Sequence, residues 1–259
     1  MKPQFIDVHA HLNFADYDAD REETIKRALD AGVWLVNVGV EKKESKLAIE
    51  LAEKYKEGVY AIVGQHPTSK EDFDLDFYRA LAKNKKVVGI GECGLDFFRV
   101  TDEVLKEKQR AVFRAQIELA LELDLPLMIH CRDAYAETLA ILDEYKTKAG
   151  DKLRGDFHFF AGDVETAQRV LDLGFNLSFT GVITFAREYE KLVKFVPLER
   201  MFSETDCPFV TPVPNRGKRN EPLFVRDVVA KISRIRDEDL EKVRAQLFEN
   251  ALKFFRLTT

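Results

Sequence analysis

The sequence predicts an α/β protein, a (β/α)8 (TIM) barrel in a single domain over residues 1–259. Eight short apolar, β-prone runs recur along the chain. The segments between them carry apolar residues at helical spacing, the pattern of βαβ units on a parallel sheet. Eight such units in about 250 residues match the size of this barrel. The competing architecture, an open doubly wound sheet, usually opens with a Gly-rich phosphate loop after strand one, whereas here the first run ends HAHLNF.

The strand-like runs are FIDVHA (5–10), WLVNVG (34–39), YAIVGQ (60–65), VVGIGE (87–92), LPLMIHC (125–131), GDFHFF (155–160), FNLSFT (175–180) and MFSETD (201–206). Between them, REETIKRALDAG ends in Gly32 and VETAQRVLDLG in Gly174, the residue type that terminates helices in a left-handed conformation. TDEVLKEKQRAVFRAQIELALELDL begins with Thr101 or Asp102 as N-cap. No linker, low-complexity tract or short repeat interrupts the pattern.

Composition narrows the function classes. With 46% hydrophobic and 33% charged residues, the chain suits a soluble globular protein rather than a disordered one. A net charge of −5 means that any surface for nucleic acid must be local. No apolar run approaches the length of a membrane span and no basic-then-apolar leader opens the chain, so neither membrane association nor secretion is expected. Three widely spaced cysteines without a CxxC speak against a disulfide framework and for a reducing, cytoplasmic setting. Nothing marks an obligate protein partner.

The rare residues fall in one kind of place. His9, His11, His66, His130 and His158 each lie at or just past the C-terminal end of a strand run, while Glu92 closes the fourth run and Asp206 the eighth. In a (β/α)8 barrel those ends converge on the rim where active sites form. A lone His there is commonly a hydrogen-bonded rim residue, and a lone Glu92 a charge paired with an Arg. Four imidazoles and two carboxylates together are costly to bury without compensation. A divalent cation supplies it, because neutral imidazole and carboxylate suit Zn²⁺, Mn²⁺, Mg²⁺ or Fe²⁺. His9 and His11, two apart, point to one side of the first strand. Asp7, two residues deeper, reads as a buried support for a ligand His on that face. Cys93, Cys131 and Cys207 directly follow Glu92, His130 and Asp206, so alternation sends their thiols to the other side, packed beneath the helices.

The motifs FIDVHAHL (5–12), GQHP (64–67), GECGLDFF (91–98), LPLMIHCRDA (125–134), HFFAG (158–162) and SETDCPFVTPVPNRGKRNEP (203–222) span essentially the whole chain. Together they resemble the TatD-family metal-dependent deoxyribonucleases, within the amidohydrolase-like barrels. The resemblance implies two divalent cations (Mg²⁺, Mn²⁺ or Zn²⁺) bridged by Glu92, with His9, His11 and Asp206 on one and His130 and His158 on the other. Two positions depart from the family: Thr68 stands where GxHPH often has its second His, and Phe159 follows the sixth-strand His where a small residue is common. Both lie outside the implied metal shell and bear on substrate preference.

Two such cations acidify a shared water and clamp the attacking and leaving oxygens of a phosphodiester. The expected activity is therefore a deoxyribonuclease acting on single strands or frayed ends, with DNA as a transient partner. Asp206 and Glu92 are the catalytic candidates together with His66, which contacts the phosphate or protonates the leaving oxygen. Arg132 offers a bidentate phosphate contact. Arg216, Lys218 and Arg219, with Arg99, are expected to form a positive rim. Glu204 orients a ligand or pairs with an Arg, and Phe97 and Phe98 are candidates for stacking on bases. The alternative is an amide, ester or lactone hydrolase acting on a small molecule or aminoacyl-tRNA, where a basic rim matters little. A third is a binding module with structural, closed metal sites.

Overall fold

The computed structural model describes residues 2–258 and places a strand in every run. The strands are β1 (Phe5–Ala10), β2 (Val33–Val38), β3 (Val59–Val63), β4 (Val87–Asp96), β5 (Leu127–Arg132), β6 (Gly155–Phe157), β7 (Asn176–Phe179) and β8 (Met201–Ser203). They pair in sequence order, all parallel. The ring is completed just beyond β8, where Ala10 bridges Cys207. There the Asp206 N–H donates to the His9 carbonyl (3.0 Å) and the His11 N–H to the Cys207 carbonyl (2.9 Å).

Helices α1 (Arg21–Asp30), α2 (Lys42–Glu53), α3 (Leu75–Ala82), α4 (Glu103–Leu123), α5 (Tyr135–Ala149), α6 (Val164–Asp172), α7 (Glu190–Phe195) and α8 (Val225–Arg236) fill the crossovers, and α9 (Leu240–Phe255) follows the last. Asp102 caps α4 by accepting from the Leu105 N–H (3.0 Å), and Asp163 caps α6 by accepting from Thr166 (2.8 Å). Gly32 and Gly174 end their helices at φ 75° and 80°, as glycine permits. No helix of the described residues is long and apolar enough to cross a membrane.

Two apolar clusters divide the core. The larger lies between the strands and the helices and holds Leu35, Ile90, Ile129 and Leu177. The smaller fills the barrel with Ile6, Val8, Val36, Ile62, Met128 and Phe202, closed at the bottom by Phe254 and Phe255 of α9. Cys93 and Cys207 lie in the outer cluster, while the Cys131 thiol meets the Thr138 hydroxyl at 3.3 Å.

Two strand boundaries differ from the sequence reading, and both matter to the site. β4 continues four residues past Glu92 to Asp96, and β8 stops at Ser203, leaving Asp206 in a left-handed turn (φ 52°). The pairing register also slips between Asp7 and Ala10 of β1 and between Ile90 and Cys93 of β4. A one-residue irregularity exchanges the two faces of a strand. In β1, Val8 packs inside the barrel, and His9, the next residue, turns inward to stack on His158. Asp7 pairs with Leu35 of the outer cluster and accepts from the Thr205 N–H at 2.8 Å. Asp7 also accepts from the His9 N–H at 3.4 Å, so its carboxylate meets a candidate ligand His through the backbone rather than the imidazole, while it anchors the turn that carries Asp206.

Candidate metal centre

Glu92 stands at the middle of the C-terminal mouth, and its two carboxylate oxygens face different donor sets. Oε2 lies 3.4 Å from His9 Nε2 and 3.7 Å from His11 Nε2. Those two nitrogens are 3.0 Å apart, and Asp206 Oδ1 is 3.9 and 3.5 Å from them. Oε1 lies 3.0 Å from His130 Nδ1 and 3.4 Å from His158 Nε2. Bonds of about 2.0–2.2 Å to one cation put tetrahedral ligand atoms about 3.3–3.6 Å apart, within the spread of these separations. Among the described residues no Lys or Arg pairs with Glu92 or Asp206, so nothing cationic in the chain compensates the two carboxylates except imidazole. The chemistry of this donor set suits divalent cations.

Backbone local to each donor explains the convergence. The β4 irregularity aims Glu92 inward between two glycines; a Cβ on Gly94 would collide with the His130 carbonyl oxygen, so the strand there tolerates only glycine (φ 133°). The second nitrogen of three imidazoles is tied to a fixed acceptor. His11 Nδ1–H donates to the Val38 carbonyl (2.9 Å), His158 Nδ1–H to Glu204 Oε1 (3.0 Å) and His130 Nε2–H to Asp96 Oδ2 (3.0 Å). In the neutral ring each bond leaves the other nitrogen with its lone pair toward Glu92, the usual way in which outer groups orient metal-binding histidines. Glu204 has the orienting role that the sequence allowed it. Asp96 was missed. Its signal was the spacing Glu92–Gly94–Asp96, three alternate residues that share a face only if β4 runs on past Glu92.

Burial disfavours charge throughout, and neighbours decide the balance. It holds the His9 and His66 imidazoles below their ordinary range. At His130 the carboxylates of Asp96 and Glu92 outweigh burial, and at His158 those of Glu204 and Glu92 do so by more, raising both. Burial also opposes ionisation of Glu92 and Asp206, yet His66, His158 and His130 hold Glu92 well below the carboxylate range, and His11, His158 and His9 hold Asp206 below it. Beneath His158, Asp156 is fully buried and is driven well above the carboxylate range by burial and by the charge of Glu204.

The profile of the TatD related DNase family matches residues 6–256. The chain belongs to this family. It is 40% identical over 257 residues to the uncharacterized metal-dependent hydrolase YabD of Bacillus subtilis strain 168, across 97% of this chain and 98% of the relative. It is 33% identical over 262 residues to the 3'-5' ssDNA/RNA exonuclease TatD of Pantoea ananatis, across 97% and 99%. The crystal structure of YjjV, a TatD homolog from Escherichia coli K12, has a TM-score of 0.90 at 28% identity and covers 100% of both chains. An organophosphorus hydrolase from Deinococcus radiodurans shares the fold alone, with a TM-score of 0.67 at 13% identity over 96% and 92%. This chain is accordingly a metal-dependent hydrolase of the TatD family.

The substrate side of this TatD-family site is a cavity of about 580 Å³ above Glu92. Of the four cations singled out for substrate, only Arg132 lines it, stacked on the Phe98 ring at 3.9 Å and accompanied by Arg99. The loop with the other three lies elsewhere. Arg219 is held by Asp20 (2.8 and 2.6 Å) and lies over the Tyr17 ring; Arg216 donates to the Thr211 carbonyl (2.9 Å) and stacks on Phe185. Lys218 follows the same turn, its carbonyl accepting from the Thr211 hydroxyl (2.6 Å). Phe97 packs against the core under Lys106 and Arg110. His66 lines the cavity with Nε2 3.4 Å from Glu92 Oε1, as near as the Nε2 of His158.

Proposed function

We propose that this chain hydrolyses phosphodiester bonds of single-stranded DNA or frayed ends, and that His9, His11, Glu92 and Asp206 hold one divalent cation while Glu92, His130 and His158 hold a second. The observation that carries this reading is Glu92, whose two oxygens each face a separate set of lone pairs. The cations supply an acidified water and charge neutralisation at phosphorus. The residues of the chain do the rest. Arg132, fixed on Phe98, and Arg99 orient the phosphate through its non-bridging oxygens. Asp206, ionised among its imidazoles, accepts the proton of the attacking water. The water oxygen bonds to phosphorus, the P–O bond to the leaving nucleoside breaks, and that oxygen takes a proton from solvent in the open cavity. Glu92 lines the cavity and is nearly buried, which suits a strand end rather than an intact duplex.

The 3'-5' ssDNA/RNA exonuclease name of the Pantoea relative supports the same class of substrate. The engagement of Arg216 by the Thr211 carbonyl and of Arg219 by Asp20 favours the alternative, a small ester or amide, because it occupies two cations of the expected basic rim. A metal-rescue panel separates the two. Chelated protein is resupplied with Mg²⁺, Mn²⁺, Zn²⁺ or Co²⁺ and offered end-labelled single- and double-stranded DNA beside an ester substrate. Metal-restored shortening of single-stranded DNA supports the nuclease; turnover of the ester alone rejects it.

A further inference from the structure

The cavity has two unlike walls. The loops after β3 and β4 and the end of β5 line one with His66, Thr68, Arg99 and Arg132, which are polar or cationic. The loops after β1, β6 and β8 line the other with Phe14, Phe159, Phe209 and Val210, which are apolar. The Phe14 ring lies parallel to His11 at 4.5 Å, and Phe209 meets Phe14 edge-on at 6.2 Å, so the aromatic wall begins at the donor cluster itself. Phe209 leaves 51% of its surface in water. A large apolar ring so exposed at the mouth of a polar site marks a binding surface rather than core.

The backbone beneath this wall is held in an unfavourable form. Phe159 and Val210 adopt φ 46° and 50°, the left-handed region that bulky and β-branched residues avoid. Tight partners enforce it. The Phe159 N–H donates to Glu204 Oε1 (2.8 Å), the Phe209 N–H donates to the Asp206 carbonyl (2.9 Å), and the Phe209 carbonyl accepts from Asn220 (2.6 Å). Gly181 presses on the Val210 carbonyl so closely that a Cβ would collide with it. Strain persists where surroundings over-determine it, commonly at ligand sites. Of these partners, Asp206 belongs to the donor cluster and Glu204 holds the His158 imidazole of that cluster, so the wall and the cluster are positioned together.

A ligand matching both walls is anionic on one side and flat and apolar on the other. We infer that Phe14, Phe159 and Phe209 form a nucleobase-stacking subsite that holds the base of the terminal nucleotide, while Arg99 and Arg132 hold the scissile phosphate, from which the rest of the strand leaves along the cationic wall. The inference rests on the nuclease reading and adds to it which side of the scissile phosphate each part of the strand occupies. Stacking on aromatic faces reads no sequence, so the subsite tolerates any base.

Phe209→Ala tests it, since the exposed ring can be removed without opening the core. Short single-stranded oligonucleotides carry either thymidine or an abasic tetrahydrofuran residue at the end, with each end tested in turn. Binding is read by fluorescence anisotropy on the full chain in EDTA, and cleavage separately with Mn²⁺. Wild type is expected to bind the base-bearing end about tenfold more tightly, as one stacked base allows. Phe209→Ala should lose most of that preference while keeping its affinity for the abasic end, and Phe209→Trp should retain it. Equal binding of both ends by wild type, or equal loss on both in Phe209→Ala, overturns the subsite. Base-selective binding without cleavage under any metal keeps the subsite and rejects the nuclease reading alone.

Discussion

The backbone N–H of Thr68 donates to Nδ1 of His66 at 3.2 Å, and the Thr68 hydroxyl lies 2.7 Å from the same nitrogen. A nitrogen that accepts from a backbone N–H carries a lone pair, so neutral His66 bears its proton on Nε2. This is opposite to His11 and His158, whose Nδ1–H is tied to an acceptor. Burial keeps the ring neutral by lowering its pKa. His66 therefore faces the cavity as a hydrogen-bond donor, and of its two sequence-predicted roles the geometry supports contacting the phosphate.

That assignment has a kinetic signature. His66→Ala should lower kcat by about 10²-fold, the scale for losing one donor to developing negative charge. Metal content measured by inductively coupled plasma mass spectrometry should be unchanged, and the pH–rate profile should keep its limbs. Loss of an alkaline limb would make His66 a proton donor instead.

Glu204 and Asp96 touch the donor imidazoles and not Glu92. Glu204→Gln and Asp96→Asn should each weaken Mn²⁺ binding by about 10–100-fold, as loss of an orienting carboxylate does, with the fold retained by circular dichroism. Isothermal titration calorimetry reads the change, and unaltered affinity in both variants would remove their orienting role.

The visible part of this site in the sequence was the part governed by residue type and strand period. Five rare histidines at strand ends located the mouth, and the alternation of apolar runs located all eight strands. The hidden part depended on register. Nothing in FIDVHA announces the irregularity that turns Asp7 outward and His9 inward, because the slip is defined by pairing with β2. Asp96 is hidden by strand length instead, since its spacing from Glu92 counts only if β4 runs on past the apolar run 87–92. The engagement of Arg219 in the loop 215–222 is equally illegible, because its partner, Asp20, lies 199 residues away in sequence.

Protons and cations compete at His158. Burial opposes its charge, but Glu204 and Glu92 raise it well above the usual imidazole value, which favours the proton when no metal is bound. The ion pair with Glu204 then contributes stability that is complete below about pH 6.5 and is lost as pH rises through the raised value. Metal binding must release that proton. Between about pH 6 and pH 8, the Tm advantage of metal-free wild type over Glu204→Gln should shrink, while the Tm gain on adding Mn²⁺ should grow. A flat or falling gain in calorimetric scans would contradict the linkage.

Arg132 and Arg219 make a matched pair of controls. Arg132→Ser should raise KM for a single-stranded oligonucleotide about tenfold, through loss of a charge-assisted phosphate contact. Arg219→Ser breaks a partly exposed pair with Asp20 and should cost less than about 1 kcal/mol of stability, with KM unchanged. Steady-state kinetics and thermal melts distinguish them.

The sharing of one carboxylate between two donor sets is tested most directly by electron paramagnetic resonance of the Mn²⁺-loaded chain. Two Mn²⁺ per chain with a spin-coupled spectrum, lost in Glu92→Gln, is the predicted result. One Mn²⁺ per chain, or two uncoupled ions indifferent to Glu92→Gln, would contradict it.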